Sequence, residues 1–242
     1  QYDGPYISYY DAQHKKTSGV YSANKKTGDW KTLSDNGKLI DSAFYKDGFI
    51  SGVSLRWNTD GTIADSMVFE EKGKGISRGY WTGGVPRHVG TLDNGKKDGA
   101  WTYYHKNGNK SQDVMYTADS AISYICYDEK GNVQTDKCYY EKEAEFKGGT
   151  AQWTKYLSRQ LSSVRLPNDY YRGEISGVVI VQFIVDMDGS IKDIKVIKSV
   201  RPDLDDIVVD ILRSGPKWEP AVQYNRKVKA YRKQPVTFAK VK

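Results

Sequence analysis

The rhythm of hydrophobic and polar positions changes once along the chain. Up to about residue 135 the apolar residues come singly or in short aromatic-rich runs, punctuated by glycine; from about Tyr140 they fall into longer periodic segments. In this second region Trp153, Tyr156, Leu157, Leu161 and Val164 recur at helical spacing and predict a helix over 148–164. Thr150 is its expected N-cap, and Pro167-Asn168 its stop. Gly177 opens the run Val178 to Val185, which is apolar at successive positions, as a central strand buried on both faces would be. Asp186-Met187-Asp188-Gly189 reads as a turn, and a second strand over 191–200 alternates around Ile194 and Val196. Pro202 then starts the best-defined helix, with Leu204, Ile207, Val208, Ile211 and Leu212 on one face. Asp203, Asp205 and Asp206 sit at its positive end, and Gly215-Pro216 terminates it. A last strand is expected over 227–238. This order predicts an α+β domain, a small antiparallel three-stranded sheet with helices.

The first region is periodic on a longer scale. Gly4, Gly28, Gly52, Gly75 and Gly99 are spaced by 24, 24, 23 and 24 residues. A second series, Gly37, Gly61, Gly84, Gly108 and Gly131, runs at 24, 23, 24 and 23, and a weaker third holds Gly48, Gly73 and Gly95. Large apolar residues (Tyr9, Leu33, Trp57, Tyr80, Tyr104) follow the first series at a constant offset; Tyr6, Trp30 and Trp101 recur nearer to it, with Ser54 and Ser77 in the same place. Asn-Gly and Asp-Gly pairs in the second series supply the positive φ that tight turns need. Self-similarity of this kind marks stacked supersecondary units. Short aromatic strands with glycine turns at both ends predict antiparallel hairpins stacked edge to edge into one twisted sheet. Two modules are therefore expected, at 1–139 and 140–242.

Charge supports that division. Residues 140–242 hold 19 Lys+Arg against 13 Asp+Glu, whereas the preceding residues hold 18 against 17. No apolar run approaches the roughly 20 residues that span a bilayer. The chain opens on Gln1 without a charged-then-apolar leader, so the expectation is an exported protein that has lost its signal. Cys126 and Cys138 flank the turn-like stretch 128–132 and could bridge across a hairpin in an oxidising compartment; the alternative is two unrelated small hydrophobes.

Two resemblances sharpen the reading. Asn94-Gly95-Lys96-Lys97-Asp98-Gly99-Ala100-Trp101-Thr102-Tyr103-Tyr104-His105-Lys106-Asn107-Gly108 resembles a MORN-type repeat unit, with poorer copies over about 4–135. That resemblance implies a scaffold or binding surface and no catalytic residue. Farther on, Gly177, Asp186-Met187-Asp188-Gly189, Leu204-Asp205, Lys217-Trp218-Glu219-Pro220 and Pro235-Val236-Thr237-Phe238 resemble the motifs of a TonB C-terminal domain. Glu145-Phe146-Lys147-Gly148-Gly149 is similar to the Glu-Phe-Pro-Gly-Gly start of Bacteroidetes-type members, with Lys147 in place of proline. The resemblance implies that the terminal strand region meets a short segment of an outer-membrane receptor. The usual membrane helix and proline-rich spacer are not in the chain.

Other chemistry has little to stand on. His14, His88 and His105 lie far apart without ligand spacing. No phosphate loop or nucleophile elbow occurs, and the Asp186 turn lacks the later ligands of a calcium loop. Neither enzyme activity, cofactor nor metal is expected. From Arg226 to Lys242 there are seven Lys or Arg and no acid, too few aromatics for a nucleic-acid surface. The remaining readings are a charged edge that resists aggregation and an exposed strand that recruits an extended, acidic protein partner. The candidate strand residues are Lys227, Val228, Lys229, Ala230, Tyr231, Arg232, Lys233, Gln234, Val236 and Phe238. The expected role is that of a periplasmic or envelope-associated TonB-like adaptor or energy transducer. The alternatives are a repeat scaffold of immunity or antitoxin type and, on the aromatic-rich sheet alone, a cell-wall glycan binder.

Overall fold

A computed structural model describes residues 2–70 and 73–239. The chain divides into two compact units, Gln1–Cys138 and Tyr139–Lys242.

The first unit is a meander. Strands β1 (Gly4–Tyr9), β2 (Lys15–Ser22), β3 (Lys25–Leu33), β4 (Leu39–Lys46), β5 (Phe49–Trp57) and β6 (Ile63–Phe69) pair in chain order. They continue into β7 (Gly75–Tyr80), β8 (Pro86–Asp93), β9 (Lys96–Tyr104), β10 (Lys110–Thr117), β11 (Ser120–Tyr127) and β12 (Val133–Gln134), giving one 12-stranded antiparallel sheet. The glycine series divide the labour. Second-series glycines close wide turns: Gly37, Gly61, Gly84, Gly108 and Gly131 all have φ between 79° and 88°. Each donates its amide to the carbonyl three residues back, as Gly37 does to Ser34 at 3.0 Å. Four of the opposite turns are two-residue loops with positive φ at both positions, as in Asp47-Gly48 (53°, 88°) and Asn94-Gly95 (49°, 73°). First-series glycines, expected at turns, lie inside or at the start of strands instead; Gly28, Gly52 and Gly99 take φ of 65°, 69° and 78° there. They take the left-handed backbone that a bulged strand demands and a side chain would resist.

One row of residues crosses most of the sheet on its more buried face: Trp30, Ala43, Ser54, Met67, Ser77, Gly90, Trp101 and Val114, each paired with the next. Trp30 lies on Gly19 and Trp101 on Gly90, so closely that an added Cβ would come within 2.2 Å and 2.0 Å of the rings. Each indole donates to a strand carbonyl, Trp30 to Val20 at 3.2 Å and Trp101 to Thr91 at 2.8 Å. A lysine covers the other side: Lys26 Nζ is 4.2 Å from the Trp30 ring centre and Lys97 Nζ 4.9 Å from that of Trp101. The two stacks are the same device three repeats apart. Glycine beneath and lysine above leave both indoles 4% exposed.

The second unit contains β13 (Glu141–Lys142), α1 (Gly149–Ser163), α2 (Asn168–Tyr171), β14 (Gly177–Val185), β15 (Ile191–Lys198), α3 (Pro202–Arg213), β16 (Ala221–Gln223), β17 (Arg226–Val228) and β18 (Ala230–Phe238). β14 is the centre of a sheet ordered β15-β14-β18, and β13, β16 and β17 form a second small sheet. Val179, Val181, Phe183 and Val185 of β14 are fully buried, facing Leu204, Val208 and Leu212 of α3. Trp218 sits among Phe146, Trp153 and Phe183, with ring centres 5.7, 5.7 and 5.1 Å away. Burial of one such aromatic contributes about 3 kcal/mol, so this cluster and α3 anchor the unit.

Two details differ from expectation. Gly148, not Thr150, stands at the α1 N-cap, with φ 84° and no side-chain cap; the chain enters the helix by a left-handed residue, which threonine resists. The strand expected over 227–238 breaks at Lys229, so Lys227 and Val228 belong to β17 and pair with Val222 and Ala221.

Candidate partner-binding edge

The Asp-x-Asp-Gly and Lys-Trp-x-Pro motifs meet in space. Asp186 donates its amide to Ser190 at 2.9 Å, and Gly189 returns to Asp186 at 2.9 Å, closing the turn between β14 and β15. Trp218 donates its amide to the Gly189 carbonyl at 2.9 Å, and Lys217 bonds Asp188 at 2.9 Å. The Ser190 hydroxyl, the Lys217 ammonium and the Ser190 amide hold the Asp188 carboxyl well below the usual carboxylate range. The backbone of Glu145 is bridged both ways to Glu219, and Lys142 spans their two carboxylates at 2.8 and 2.6 Å. Those two carboxylates raise the Lys142 ammonium above its ordinary value. The motifs thus brace the β14–β15 turn against the segment that leads into β16.

β18 pairs with β14 along its whole length, from Ala230 opposite Val185 to Phe238 opposite Gly177. It ends the sheet, and no described strand pairs with its other side. Ala230, Arg232, Gln234, Val236 and Phe238 point toward the core side, Val236 and Phe238 being 1% exposed. Tyr231, Lys233, Pro235 and Thr237 point the other way and are exposed, Tyr231 to 70%. Lys229 lies between strands, its Nζ 3.5 Å from Asp186. Arg232 has a distant ion pair, 3.5 Å to a Glu143 that is 84% exposed, and its Nε is buried without an acceptor among the described residues. An exposed pair at that distance contributes little.

The second face of this sheet carries residues that the strand alternation alone did not single out. Lys192, Lys195 and Lys198 of β15 stand opposite Ile184, Gln182 and Ile180 of β14, which in turn stand opposite Tyr231, Lys233 and Pro235 of β18. Two register shifts in β15 bring lysines three residues apart onto one face. The only sequence signal is that three-residue spacing, which strand periodicity would scatter over both faces.

The other singled-out residues fall elsewhere. Cys126 and Cys138 are bonded, with Cα atoms 5.5 Å apart. Cys126 is register partner to Gln134, so Cys138 reaches it from beyond β12 rather than across a hairpin. His14 bonds Asp11 at 2.8 Å, His88 bonds Ser77 at 3.1 Å, and His105 meets the Tyr127 carbonyl at 3.0 Å. The described residues hold no group of three or more metal-ligating side chains. No described helix is long and apolar enough to cross a membrane.

Residues 163–239 match the family model of the Gram-negative bacterial TonB protein C-terminal. The matched segment runs from the end of α1 through β18 and includes both meeting motifs. The second unit is therefore TonB-like in sequence and in fold, and domains of that family mediate contacts with envelope proteins. The match does not extend to the repeat unit, whose likeness to MORN-type repeats rests on its residues and its hairpin stack. No curated protein matches the chain.

Proposed function

We propose that the second unit binds another envelope protein by accepting an extended segment along the outer side of β18, working in the periplasm as a TonB-like adaptor or energy transducer. The carrying observation is that β18 is nine residues long, fully paired on one side and unpaired on the other among the described residues. Such an edge supplies a row of backbone donors and acceptors to a guest strand, interrupted at Pro235, which has no amide hydrogen. The binding residues in this reading are Ala230 to Phe238. Lys227 and Val228, already paired within the second small sheet, hold the strand's start rather than the guest. Leu204, Phe183 and Trp218 are core residues. No catalytic step is proposed.

The test is a titration of the isotope-labelled protein with peptides from outer-membrane receptor plugs, followed by backbone NMR. Shifts centred on 230–238 are expected; an unchanged β18 at saturating peptide would remove the reading.

A second role, for the repeat unit as an interaction scaffold, is favoured by one observation. Val53, Val68 and Ile76 are consecutive register partners on the opposite face of the sheet and are 52%, 40% and 38% exposed. A pull-down that retains partners after substitution of this row by serine would remove it. A glycan-stacking role has less support, because Trp30 and Trp101 present no free ring face.

A further inference from the structure

If a strand adds to β18, its side chains extend the cross-strand rows already present. One row reads Lys195, Gln182, Lys233, and the next position in it belongs to the guest. The adjacent row on that face reads Lys192, Ile184, Tyr231, and ends on a ring that is 70% exposed. On the core side the guest's neighbouring residue would abut Arg232, whose buried Nε has no acceptor among the described residues. β18 itself contains no acid. The nearest carboxylates lie at its margins: Asp186, bonded to Lys192 and 3.5 Å from Lys229, and the solvent-exposed Glu143. The middle of the edge is thus a cationic pair of consecutive residues, Arg232 and Lys233, pointing to opposite faces.

We infer that the segment accepted by β18 is acidic, carrying two adjacent carboxylate residues opposite Arg232 and Lys233 and an apolar residue beside Tyr231. This rests on the strand-addition reading above and adds the chemistry of the guest. Adjacent residues of a strand point to opposite faces, so two neighbouring acids answer both cations at once, whichever way the guest runs. Opposite charges in a cross-strand pair stabilise and like charges destabilise. A partly desolvated guanidinium with an unfilled donor adds preference for a carboxylate acceptor. The lysines of β15 add a longer-range attraction, which speeds encounter and fades with salt.

The experiment uses the whole protein and three short peptides of alternating threonine and valine, differing only in a central pair: two aspartates, two asparagines or two lysines. Affinity is read by fluorescence anisotropy, and binding at β18 by backbone NMR. The aspartate peptide should bind about tenfold more tightly than the lysine peptide in low salt, with the asparagine peptide between them. The gap should narrow in high salt. Lys233→Glu, at an exposed position that leaves the fold intact, should raise affinity for the lysine peptide and lower it for the aspartate peptide. Equal binding of all three peptides at β18 would overturn the acidic preference while leaving strand addition standing. Failure of every peptide to shift β18 would overturn both. Loss of aspartate preference in Lys233→Glu with unchanged shifts at β18 would support both.

Discussion

Replacing Gly90 by alanine should destabilise the repeat unit out of proportion to the size of the change. Gly90 lies under Trp101, and its new Cβ would come 2.0 Å from Cδ2 and 2.3 Å from Cε2 of the indole. The backbone there is not left-handed, so the penalty is one of space. The ring must lift, and overfilling of this kind costs about 1–3 kcal/mol. A lifted ring also loses its bond to the Thr91 carbonyl, now 2.8 Å, for about 1 kcal/mol. Its contact with Lys97, at 4.9 Å, adds about 0.5–1 kcal/mol. A total near 3 kcal/mol is expected, which at a slope of about 2 kcal/mol per molar moves a urea midpoint by roughly 1.5 M. Gly19→Ala, under Trp30 at 2.2 Å, should behave alike. Gly28→Ala is the control: it has open space but a φ of 65°, so only backbone strain of about 1 kcal/mol applies. The assay is urea unfolding followed by near-ultraviolet circular dichroism, repeated in a Trp101→Leu background. There the Gly90→Ala penalty should shrink, because the two sites are coupled. An equal penalty in both backgrounds, or one no larger than that of Gly28→Ala, would refute the stacking argument.

Three further outcomes are expected. Removing the disulfide by Cys126→Ala with Cys138→Ala, which opens a loop spanning 12 residues, should cost about 3 kcal/mol and speed hydrogen exchange at Tyr127 and Gln134. Gly189→Ala combines a φ of 83° with a Cβ 2.2 Å from the Trp218 carbonyl oxygen and should lower the stability of the second unit by more than about 2 kcal/mol, read by thermal melting. Asp188 has a folded pKa depressed below its ordinary 3.8. Its contribution is therefore complete above 3.8 and is lost as pH falls from there through the lower folded value. Asp188→Asn should be less stable than the parent at neutral pH, the gap beginning to close only as pH falls below 3.8, which acid titration of both proteins would show.

The sequence announces long periodic segments better than short or bulged ones. α3 was legible because five apolar residues make one helical face and proline and glycine mark its ends. β14 was legible as the sheet centre because it is apolar at successive positions, although only Val179, Val181, Phe183 and Val185 are fully buried. Its other residues lie on the face away from the helices. The repeat period foretold stacked hairpins, yet misplaced the first glycine series: a strand bulge and a turn both need positive φ, and spacing alone does not separate them. β13, β16 and β17 have two or three residues each, too few to carry a period. For that reason the break at Lys229 was hidden inside an apparently continuous strand. The lysine row of β15 was invisible for a related reason, because the register shifts that align it are made by pairing, not by local sequence.

Partner binding by strand addition requires the outer side of β18 to be free to accept a strand. Hydrogen exchange of the Ala230–Phe238 amides other than Pro235, which has none, measured in the whole protein with and without the aspartate peptide, reads this directly. In an antiparallel pair alternate residues send their amides to the neighbour, so the free protein should show alternating protection from β14 alone, and the slow and fast sets should merge when peptide is bound. Uniform protection before any peptide is added, or fast amides that stay fast at saturation, would contradict it.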